Sequence, residues 1–412
     1  QPEPRRTRAI ASGALARCIT CGVDEFADRY WAQAPLLSRA AELPPGGFFD
    51  LLDANAVDEL VSERGLRTPF LRMAKDGDVL PGARFTRGGG AGATIADQVA
   101  DDKVLAAIGD GATLVLQALH RTWPPLVRFG SELAAELGHP VQINAYITPP
   151  QNQGFAPHYD VHDVLVLQVA GRKKWTIHEP VVTAPLDNQP WDQRKDAVAA
   201  RAAERPLIDT VLEPGDALYL PRGTIHAAQA LGETSIHLTV GIHPVTRYQL
   251  ARHLLDLAQD NAALRTSLPM GVDLADPALL AEHLRATADA LSADAAQADA
   301  AEIARRVGTD LMRRTRPEPI GPLAQLVAAD ALTGDTPLVL RAGLRLRVET
   351  TADAVRLVLL DRTVELPAVA ADAVKTLTSV AGCTPAELPG LDADEQLTVC
   401  RRLVREGVLR PA

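Results

Sequence analysis

The chain has 412 residues, of which 47% are hydrophobic and 4% aromatic, and it carries a formal net charge of -10 at pH 7. This length allows two or three domains with cores of ordinary size, while 4 cysteines are too few for a fold held together by disulfides. The acidic balance excludes non-specific nucleic-acid binding by the chain as a whole, because phosphate contacts need a basic surface, and it favours a basic partner.

Residues 1–22 are predicted to form a flexible N-terminal tail, since the segment opens on an aperiodic stretch containing arginine and proline. It lacks the long apolar core of a secretory signal, and no apolar run in the chain reaches the roughly 18 to 20 residues of a membrane-spanning helix. We therefore expect a cytoplasmic protein. Cys18 and Cys21 form a lone C-x-x-C with neither the further ligands of a zinc site nor the context of a redox pair, so we assign them no chemistry.

Helical patterns come next in the chain and lead into a region rich in strands. Two short helices are predicted within 23–40 and 48–65. From about residue 110 the runs become β-branched and are punctuated by Gly and Pro, which predicts a small sandwich or barrel. The predicted strands lie at 112–119, 141–148, 164–171, 174–180, 207–223 and 234–243. Together these elements predict one domain over residues 23–244.

The composition changes abruptly after His243 to Ala, Leu, Asp and Arg at helical spacing. The predicted helices, within 247–260 and 278–314, carry Leu and Ala faces that need a partner surface, either in the same chain or in a second subunit. After a linker near residue 316, residues 317–412 contain a pair of strands followed by two helices. This pattern predicts a small α+β module of winged-helix type, and its slight excess of acidic residues argues against DNA reading.

A cluster of metal-ligand residues immediately precedes one of the predicted strands. His158 and Asp160 are two residues apart, and on a strand such residues share a face, so an imidazole nitrogen and a carboxylate oxygen could reach one point. The pair could equally be the polar edge of an ordinary strand. A third ligand is suggested by His226, which follows a Pro-Gly-Asp turn, a strand and a Pro-Arg-Gly turn. Two histidines and one carboxylate on one face leave coordination positions open, as in non-haem Fe(II) sites.

The strand region resembles a known family in several motifs. These are Q-x-N-A-Y-I-T-P at 142–149, G-F-A-P-H-Y-D at 154–160, V-L-Q-V-A-G-R-K-K-W at 166–175 and E-P-G-D-x-L-Y-L-P-R-G-x-I-H at 213–226. They are similar to the JmjC branch of the cupin oxygenases, and within it to the ribosomal oxygenases. The resemblance implies an α+β fold: a double-stranded β-helix (a jelly-roll, cupin-type JmjC core), then a helical dimerisation region at 245–316 and the winged-helix-like domain at 317–412.

The same resemblance implies Fe(II) held by His158, Asp160 and His226, with 2-oxoglutarate as co-substrate and O2 as oxidant. Lys173 matches the cation that holds the far carboxylate of the co-substrate, and the alternation of a strand predicts that Lys174 points the other way. The other residues matched to co-substrate contacts are Asn144, Tyr146 and Thr239. Thr239 is the candidate for a contact that family members often make through a hydroxyl-bearing residue at the position occupied here by Gly241.

The resemblance implies oxidative decarboxylation of 2-oxoglutarate to succinate and carbon dioxide, coupled to hydroxylation of a protein side chain. The expected substrate is a histidine or arginine of a ribosomal protein, and a lysine at position 173 favours histidine because it resembles the histidine-hydroxylating members of the family. The enzyme is expected to be a homodimer. The alternatives are hydroxylation of a peptide natural-product precursor or another protein, and a non-catalytic cupin scaffold that only binds metal. His162 is expected at the substrate rim, His237 and His243 at packing or rim positions, and residues 181–206 beside the substrate groove.

Overall fold

The computed structural model describes residues 13–75, 77–150, 155–271, 273–379 and 381–412. The chain divides into two compact units, one ending at Pro244 and the other beginning at Val245. The division falls at the point where the composition changes from β-branched to alanine-rich. No helix of the described ranges is both long enough and apolar enough to cross a membrane.

The first unit combines short helices with fourteen described strands. Its helices are α1 (Val23–Glu25, continued by a π-helical turn at Phe26–Tyr30), α2 (Ala54–Ser62), α3 (Asp101–Gly109), α4 (Leu119–Thr122), α5 (Pro124–Leu137) and α6 (Lys195–Ala202). Its strands are β1 (Leu36–Ser38), β2 (Leu71–Lys75), β3 (Asp78–Val79), β4 (Thr86–Arg87), β5 (Gln98–Val99), β6 (Thr113–Leu116), β7 (Val141–Thr148), β8 (Phe155–His158), β9 (Asp163–Ala170), β10 (Lys173–His178), β11 (Ile208–Leu212), β12 (Ala217–Leu220), β13 (Ile225–Ala230) and β14 (Ser235–Ile242). Short 3-10 turns lie at Gly82–Arg84 and Trp191–Arg194.

Two antiparallel sheets form the centre of this unit. The larger has the order β1-β12-β9-β14-β7-β6-β2-β3, and the smaller has the order β11-β10-β13-β8. They pack face to face, because Val164 and Val166 of the larger sheet share a buried cluster with Trp175 and Ile177 of the smaller one. This is the double-stranded β-helix that the family resemblance implies. A further pair, β4 with β5, lies outside these sheets.

Strand β7 illustrates why the two sides of the large sheet differ. From Val141 to Ile147 its residues alternate between buried and partly buried. The buried residues lie on the face that packs against helix α5, and the partly buried residues lie on the face that lines the interior of the barrel. Helix α5 starts with proline and ends at Gly138, whose φ of +72° is a left-handed conformation that suits glycine. The apolar side of α5 buries Leu126, Phe129 and Leu133, so the barrel face of β7 is left for polar residues.

The predicted tail at residues 1–22 is wrong for the part that the structure describes. Ala14, Leu15 and Cys18 are buried in the main core of the unit. Helix α5 holds this segment in place, because the Glu136 carboxylate accepts from the backbone N–H groups of Ala14 and Leu15 at 2.8 and 2.9 Å. Residues 1–12 lie outside the described ranges. The segment has no helical or strand periodicity, and the helix that holds it in place, α5, is more than 100 residues away in sequence. For this reason the sequence pattern alone indicated a flexible tail.

The second unit contains six helices and five strands in its described part. The helices are α7 (Arg247–Ala258), α8 (Pro277–Gln297), α9 (Ala300–Arg314), α10 (Pro322–Asp330), α11 (Ala371–Ser379) and α12 (Ala393–Arg405). The strands are β15 (Leu338–Leu340), β16 (Arg347–Thr350), β17 (Ala354–Val358), β18 (Thr363–Pro367) and β19 (Leu409–Pro411). The run predicted at 278–314 is two helices, because Asp299 accepts from the Ala301 N–H and starts α9.

Residues from 322 onward form a small α+β module with its own core. Strands β16, β17 and β18 make one antiparallel sheet, and β15 pairs with β19. Buried side chains of α11 and α12, including Val374, Leu377 and Leu403, pack with Val355 and Leu357 of β17. The module therefore has the strands-then-helices order that the sequence predicts, with α10, β15 and β19 added.

Candidate metal centre and co-substrate pocket

The structure brings together the three residues that the sequence singles out as metal ligands. One ligand atom from each of His158, Asp160 and His226 lies within 4.8 Å of the others. His158 ends β8 and His226 lies near the start of β13, and the two are directly paired across the antiparallel strands. The Nε2 atom of His226 lies 3.6 Å from a carboxylate oxygen of Asp160. This donor set can hold a divalent cation on one face.

Asp160 does not reach the cluster in the way that the strand period suggested. Strand β8 ends at His158, so Asp160 belongs to the irregular segment between β8 and β9. Its carbonyl accepts from the N–H of Gly223 at 2.9 Å, which ties this segment to the Pro-Arg-Gly turn. Gly223 has a φ of +89°, and a Cβ there would lie 2.3 Å from the carbonyl oxygen of Val182. A turn that only glycine fits therefore holds the carboxylate in position.

Backbone carbonyls orient both histidine rings. Nδ1 of His158 lies 2.8 Å from the Ala156 oxygen, and Nδ1 of His226 lies 3.0 Å from the Thr224 oxygen. Because a carbonyl can only accept, each Nδ1 carries the proton and each Nε2 carries the lone pair. This is how ligating histidines are commonly fixed in metal sites.

The protonation of the cluster favours cation binding. Burial, together with the charge of His158, lowers the pKa of His226 to about 4, so its ring is neutral at physiological pH. Burial alone would raise the pKa of Asp160, but His162, His226 and His158 outweigh it and hold that pKa below its ordinary value. An ionised carboxylate beside the neutral ring of His226 suits metal binding, because metal ligands have to be deprotonated.

A cavity of about 320 Å³ opens beside the cluster. Its described lining comprises Arg72, Gly77, Tyr146, Ala156, His158, Asp160, Val164, Lys173, Trp175, Trp191, His226, Ala228, His237 and Thr239. Trp191 comes from the 181–206 insertion, which was expected to border the substrate groove. Asp160 is the sole acidic side chain in this lining.

Lys173 is the buried cation of the cavity. Only 1% of the residue is exposed, and its Nζ donates to the Thr148 hydroxyl at 2.8 Å. Lys174 points outward and lies 3.2 Å from a carboxylate oxygen of Asp209, as the alternation of a strand predicts. Burial lowers the pKa of Lys173 to about 7. A carboxylate brought into the cavity would compensate this poorly solvated ammonium.

The other residues matched to co-substrate contacts differ in position. Tyr146 and Thr239 line the cavity, whereas Asn144 is outside the described lining. The amide oxygen of Asn144 accepts from the N–H of Ala118 at 3.0 Å, which fixes the side chain next to a left-handed residue, Ala118, with a φ of +55°. Thr239 is paired with Asn144 across β14 and β7, so the two side chains are neighbours on the barrel face.

Three lining residues with nitrogen-bearing side chains, His237, Trp175 and Arg72, were not predicted as contacts. His237 stacks on Tyr146 with ring centroids 5.0 Å apart, and Trp175 meets His237 edge-on at 5.4 Å. Nδ1 of His237 and Nε1 of Trp175 are buried without a hydrogen-bond partner in the described structure. Arg72 comes from β2, upstream of the region with motifs. The register could have identified His237, which shares a face with Thr239, but no local pattern marks Arg72.

His162 and His243, predicted at rim or packing positions, lie against each other and are close enough to Asp160 to help lower the pKa of its carboxyl group. The ring of His162 lies 4.9 Å from that of His243, and its Nε2 lies 3.4 Å from the amide nitrogen of Gln142. A Cβ at Gly241 would come within 2.9 Å of His162. The absence of a side chain at residue 241 therefore leaves room for this imidazole. The described metal cluster does not include His162.

Residues 125–250, which comprise the second half of the first unit and the first residues of the second, match the family model of the JmjC domain. The likeness to the JmjC domain concerns this segment of the chain. The matched segment holds all three ligand residues, Lys173 and both main sheets' central strands.

Curated relatives extend the likeness beyond the JmjC domain. The bifunctional lysine-specific demethylase and histidyl-hydroxylase NO66 of Culex quinquefasciatus is 30% identical over 261 residues, covering 60% of this chain and 37% of that protein. Ribosomal oxygenase 2 of Rattus norvegicus is 34% identical over 194 residues, covering 44% of this chain and 40% of its own. The chain thus spans about two fifths of the length of these relatives.

Solved structures show the fold around the JmjC domain. The Escherichia coli ribosomal oxygenase YcfD has a TM-score of 0.51 and 19% identity, covering 96% of this chain and 99% of that one. YcfD in complex with cobalt and 2-oxoglutarate has a TM-score of 0.50 and 18% identity, covering 95% and 99%. At this level of identity the likeness concerns the fold.

Proposed function

We propose that the protein is an Fe(II)- and 2-oxoglutarate-dependent hydroxylase of protein side chains. The observation that carries the proposal is one cavity containing both a His-Asp-His cluster and a buried lysine whose described partner is a single hydroxyl. The first can hold a metal, and the second can hold a dicarboxylate by its far end. The relatives named as hydroxylases and oxygenases support the same conclusion.

The residues present fit the proposed metal. His158 and His226 would bind it through Nε2, and Asp160 through a carboxylate oxygen. Two nitrogens and one oxygen on one face leave positions for a chelating keto acid and for oxygen, which suits Fe(II). Manganese and nickel accept the same ligands, so the metal in the cell has to be measured.

The residues also fit the proposed co-substrate. The charged Lys173 would hold the C5 carboxylate of 2-oxoglutarate, while Tyr146, Thr239 and Asn144 would supply polar contacts along its length. The indole N–H of Trp175 and the Nδ1 atom of His237 are also buried in the cavity lining without a hydrogen-bond partner in the described structure. Together with Lys173 they make the cavity more suitable for an anion than for a cation. With O2 as the oxidant, the bound metal and keto acid would supply the oxidation: one oxygen atom would enter succinate as 2-oxoglutarate loses carbon dioxide, and the other would become the hydroxyl of the target side chain. The protein orients the reactants and excludes water.

We propose a ribosomal protein as substrate, with histidine or arginine as the target residue, and the cytoplasm as the place of reaction. The acidic chain suits a basic polypeptide, since complementary charge increases the rate of encounter. Hydroxylation of another protein or of a peptide natural-product precursor would use the same centre.

An anaerobic titration with Fe(II) and 2-oxoglutarate tests the centre. We expect a weak visible charge-transfer band in the wild type that disappears in His158→Ala. His162→Ala is the matched control, because it removes a neighbouring imidazole outside the described ligand cluster, and it should keep the band. Succinate formation in air then shows turnover. A band without succinate would favour the alternative, a metal-binding cupin scaffold, and no band in the metal-loaded wild type would refute the chelate.

We also propose that residues 245–316 are a dimerisation region and that 317–412 is winged-helix-like. Helix α8 has no buried residue, and Leu279 and Leu284 are 45% and 59% exposed. Apolar side chains on two sides of a long helix are typical of an interface. Light scattering should find a dimer that Leu284→Glu dissociates, whereas Leu105→Glu, at a leucine 71% exposed on α3, leaves it intact. A monomeric wild type would refute the dimer.

A further inference from the structure

The insertion at residues 181–206 packs against the segments that carry the proposed metal ligands. Its helix α6 lies against strand β8. Val198 of α6 is buried together with Tyr159 and Ile225, and we call these three residues and their partly buried neighbours the rear cluster. The neighbours are Val161, Val181, Trp191 and Ala202. The rear cluster is separate from the main core of the unit.

Each proposed metal ligand is directly next in sequence to a member of the rear cluster. Tyr159 stands between His158 and Asp160, and Ile225 precedes His226. The three ligands line the cavity, whereas neither Tyr159 nor Ile225 belongs to its described lining. Successive residues of a strand point to opposite faces, so Ile225 lies behind the smaller sheet when His226 faces the cavity. The rear cluster therefore supports the ligands from the side opposite the metal.

The strand ladder by itself gives these ligands little support. Strand β8 has 4 residues and lies at the edge of the smaller sheet, where it pairs with β13 alone. This pairing is irregular, since its register shifts between His226 and Ala228. Asp160 follows the end of β8 and has no place in the ladder. Because an edge strand has one unpaired side, further contacts have to fix the positions of its residues.

Hydrogen bonds join the insertion to both segments that carry ligands. The hydroxyl of Tyr159 donates to the carbonyl oxygen of Gln189 at 2.9 Å. On the other segment, Nε of Arg222 donates to the carbonyl oxygen of Pro185 at 3.2 Å. The insertion thus connects the segment of His158 and Asp160 with the turn that leads to His226.

We propose that the insertion is a positioning element of the metal centre: the rear cluster holds the three ligands at the spacing that a divalent cation needs and so increases metal affinity. This inference rests on the proposed metal centre of the hydroxylase. Ligands that are already held at the right spacing lose less conformational freedom when the metal binds. Tyr159 and Val198 are positioning residues, because they act on the metal only through the ligands.

The test compares two valine-to-alanine substitutions in the same unit. Val198→Ala removes two methyl groups from the rear cluster. Val104→Ala is the matched control, because Val104 of α3 is 2% exposed in the main core and Val198 is 1% exposed. Each metal-free protein is titrated with Co²⁺ by calorimetry, which gives Kd. The d–d absorption of the bound Co²⁺ then reports the geometry of the ligands, and chemical denaturation reports stability.

We expect both substitutions to lower the midpoint of unfolding, but only Val198→Ala to affect the metal. Its Kd for Co²⁺ should rise about tenfold or more, as is typical when the support of a metal ligand is lost, and its d–d spectrum should change. Val104→Ala should keep the Kd and the spectrum of the wild type. Equal values of Kd in Val198→Ala and Val104→Ala overturn the inference.

A second variant keeps the test decisive if Val198→Ala does not fold. Tyr159→Phe removes only the hydroxyl that donates to Gln189, and it should raise Kd for Co²⁺ by about fivefold, the value of one ordinary hydrogen bond. Tyr248→Phe is its control, because that side chain is exposed in the other unit. Wild-type affinity for Co²⁺ in Tyr159→Phe also overturns the inference.

The proposed function is judged separately on the wild type. A wild type that binds Co²⁺ but shows no charge-transfer band with Fe(II) and 2-oxoglutarate would refute the hydroxylase, while the comparison of the variants would still decide the role of the insertion. An intact band together with equal metal affinities in the variants and their controls would refute only the role of the insertion.

Discussion

Lys173 should make the binding of 2-oxoglutarate strongly dependent on pH. Burial lowers the pKa of its ammonium from 10.5 to about 7 in the absence of co-substrate. The far carboxylate of 2-oxoglutarate needs the charged form. Below pH 7 that form is already present, so affinity should be constant there. Above pH 7 the lysine is neutral, and binding has to take up a proton, so affinity should fall.

The size of the effect follows from linkage. Each pH unit above the lower pKa costs about 1.4 kcal/mol, or a factor of about ten in Kd. Between about pH 6 and about pH 9, Kd should therefore rise by about two orders of magnitude, or about 2.7 kcal/mol, provided that the ion pair keeps the bound ammonium charged. At about pH 9, nearly one proton should be taken up for each co-substrate bound.

Calorimetry on the Mn²⁺-loaded protein measures both quantities without turnover. Titrations in buffers of different ionisation enthalpy give the proton uptake, and the metal-bound histidines do not contribute because they are neutral before and after binding. Lys173→Arg is the control, since a guanidinium stays charged across this range. Its affinity should be independent of pH. Equal pH dependence in the wild type and Lys173→Arg, or no proton uptake at about pH 9, would refute the role of the buried ammonium.

Two further predictions concern the supports of the centre. Gly223→Ala should lower the free energy of unfolding by about 3 kcal/mol or more and weaken metal binding, because its Cβ would overlap the carbonyl of Val182. Gly232→Ala is the control, since Gly232 has a φ of +79° but open space around it, and this substitution should lower the free energy of unfolding by about 1 to 2 kcal/mol. Equal losses in chemical denaturation would contradict this. Tyr219→Phe should cost about 1 to 3 kcal/mol, since the buried hydroxyl joins a backbone N–H to the Asp163 carboxylate, and the exposed Tyr248→Phe should cost almost nothing. An unchanged melting temperature in Tyr219→Phe would contradict this.

Local patterns were enough to locate the strands and to name the candidate ligands. The alternation of β7 and the apolar run of β9 predict strands because a barrel wall imposes a period of two or continuous burial. The same period correctly separates Lys173 from Lys174. It fails for Asp160, because β8 ends before that residue and a hydrogen bond from Gly223 holds its backbone.

The sequence by itself determined the order of the elements and the change of composition after His243, and it suggested candidate ligands for a metal, whereas the candidate residues for the dicarboxylate came from the family resemblance. These features depend on residues that are close together in the chain. They can therefore be recognised from the spacing of apolar residues, from turn-forming residues and from residue types that bind metals. Only the tertiary structure decided that Ala14, Leu15 and Cys18 belong to the core, that His237 lines the cavity and that Arg72 reaches it. Each of these depends on pairing between segments far apart in the chain, and no local pattern encodes such a partner.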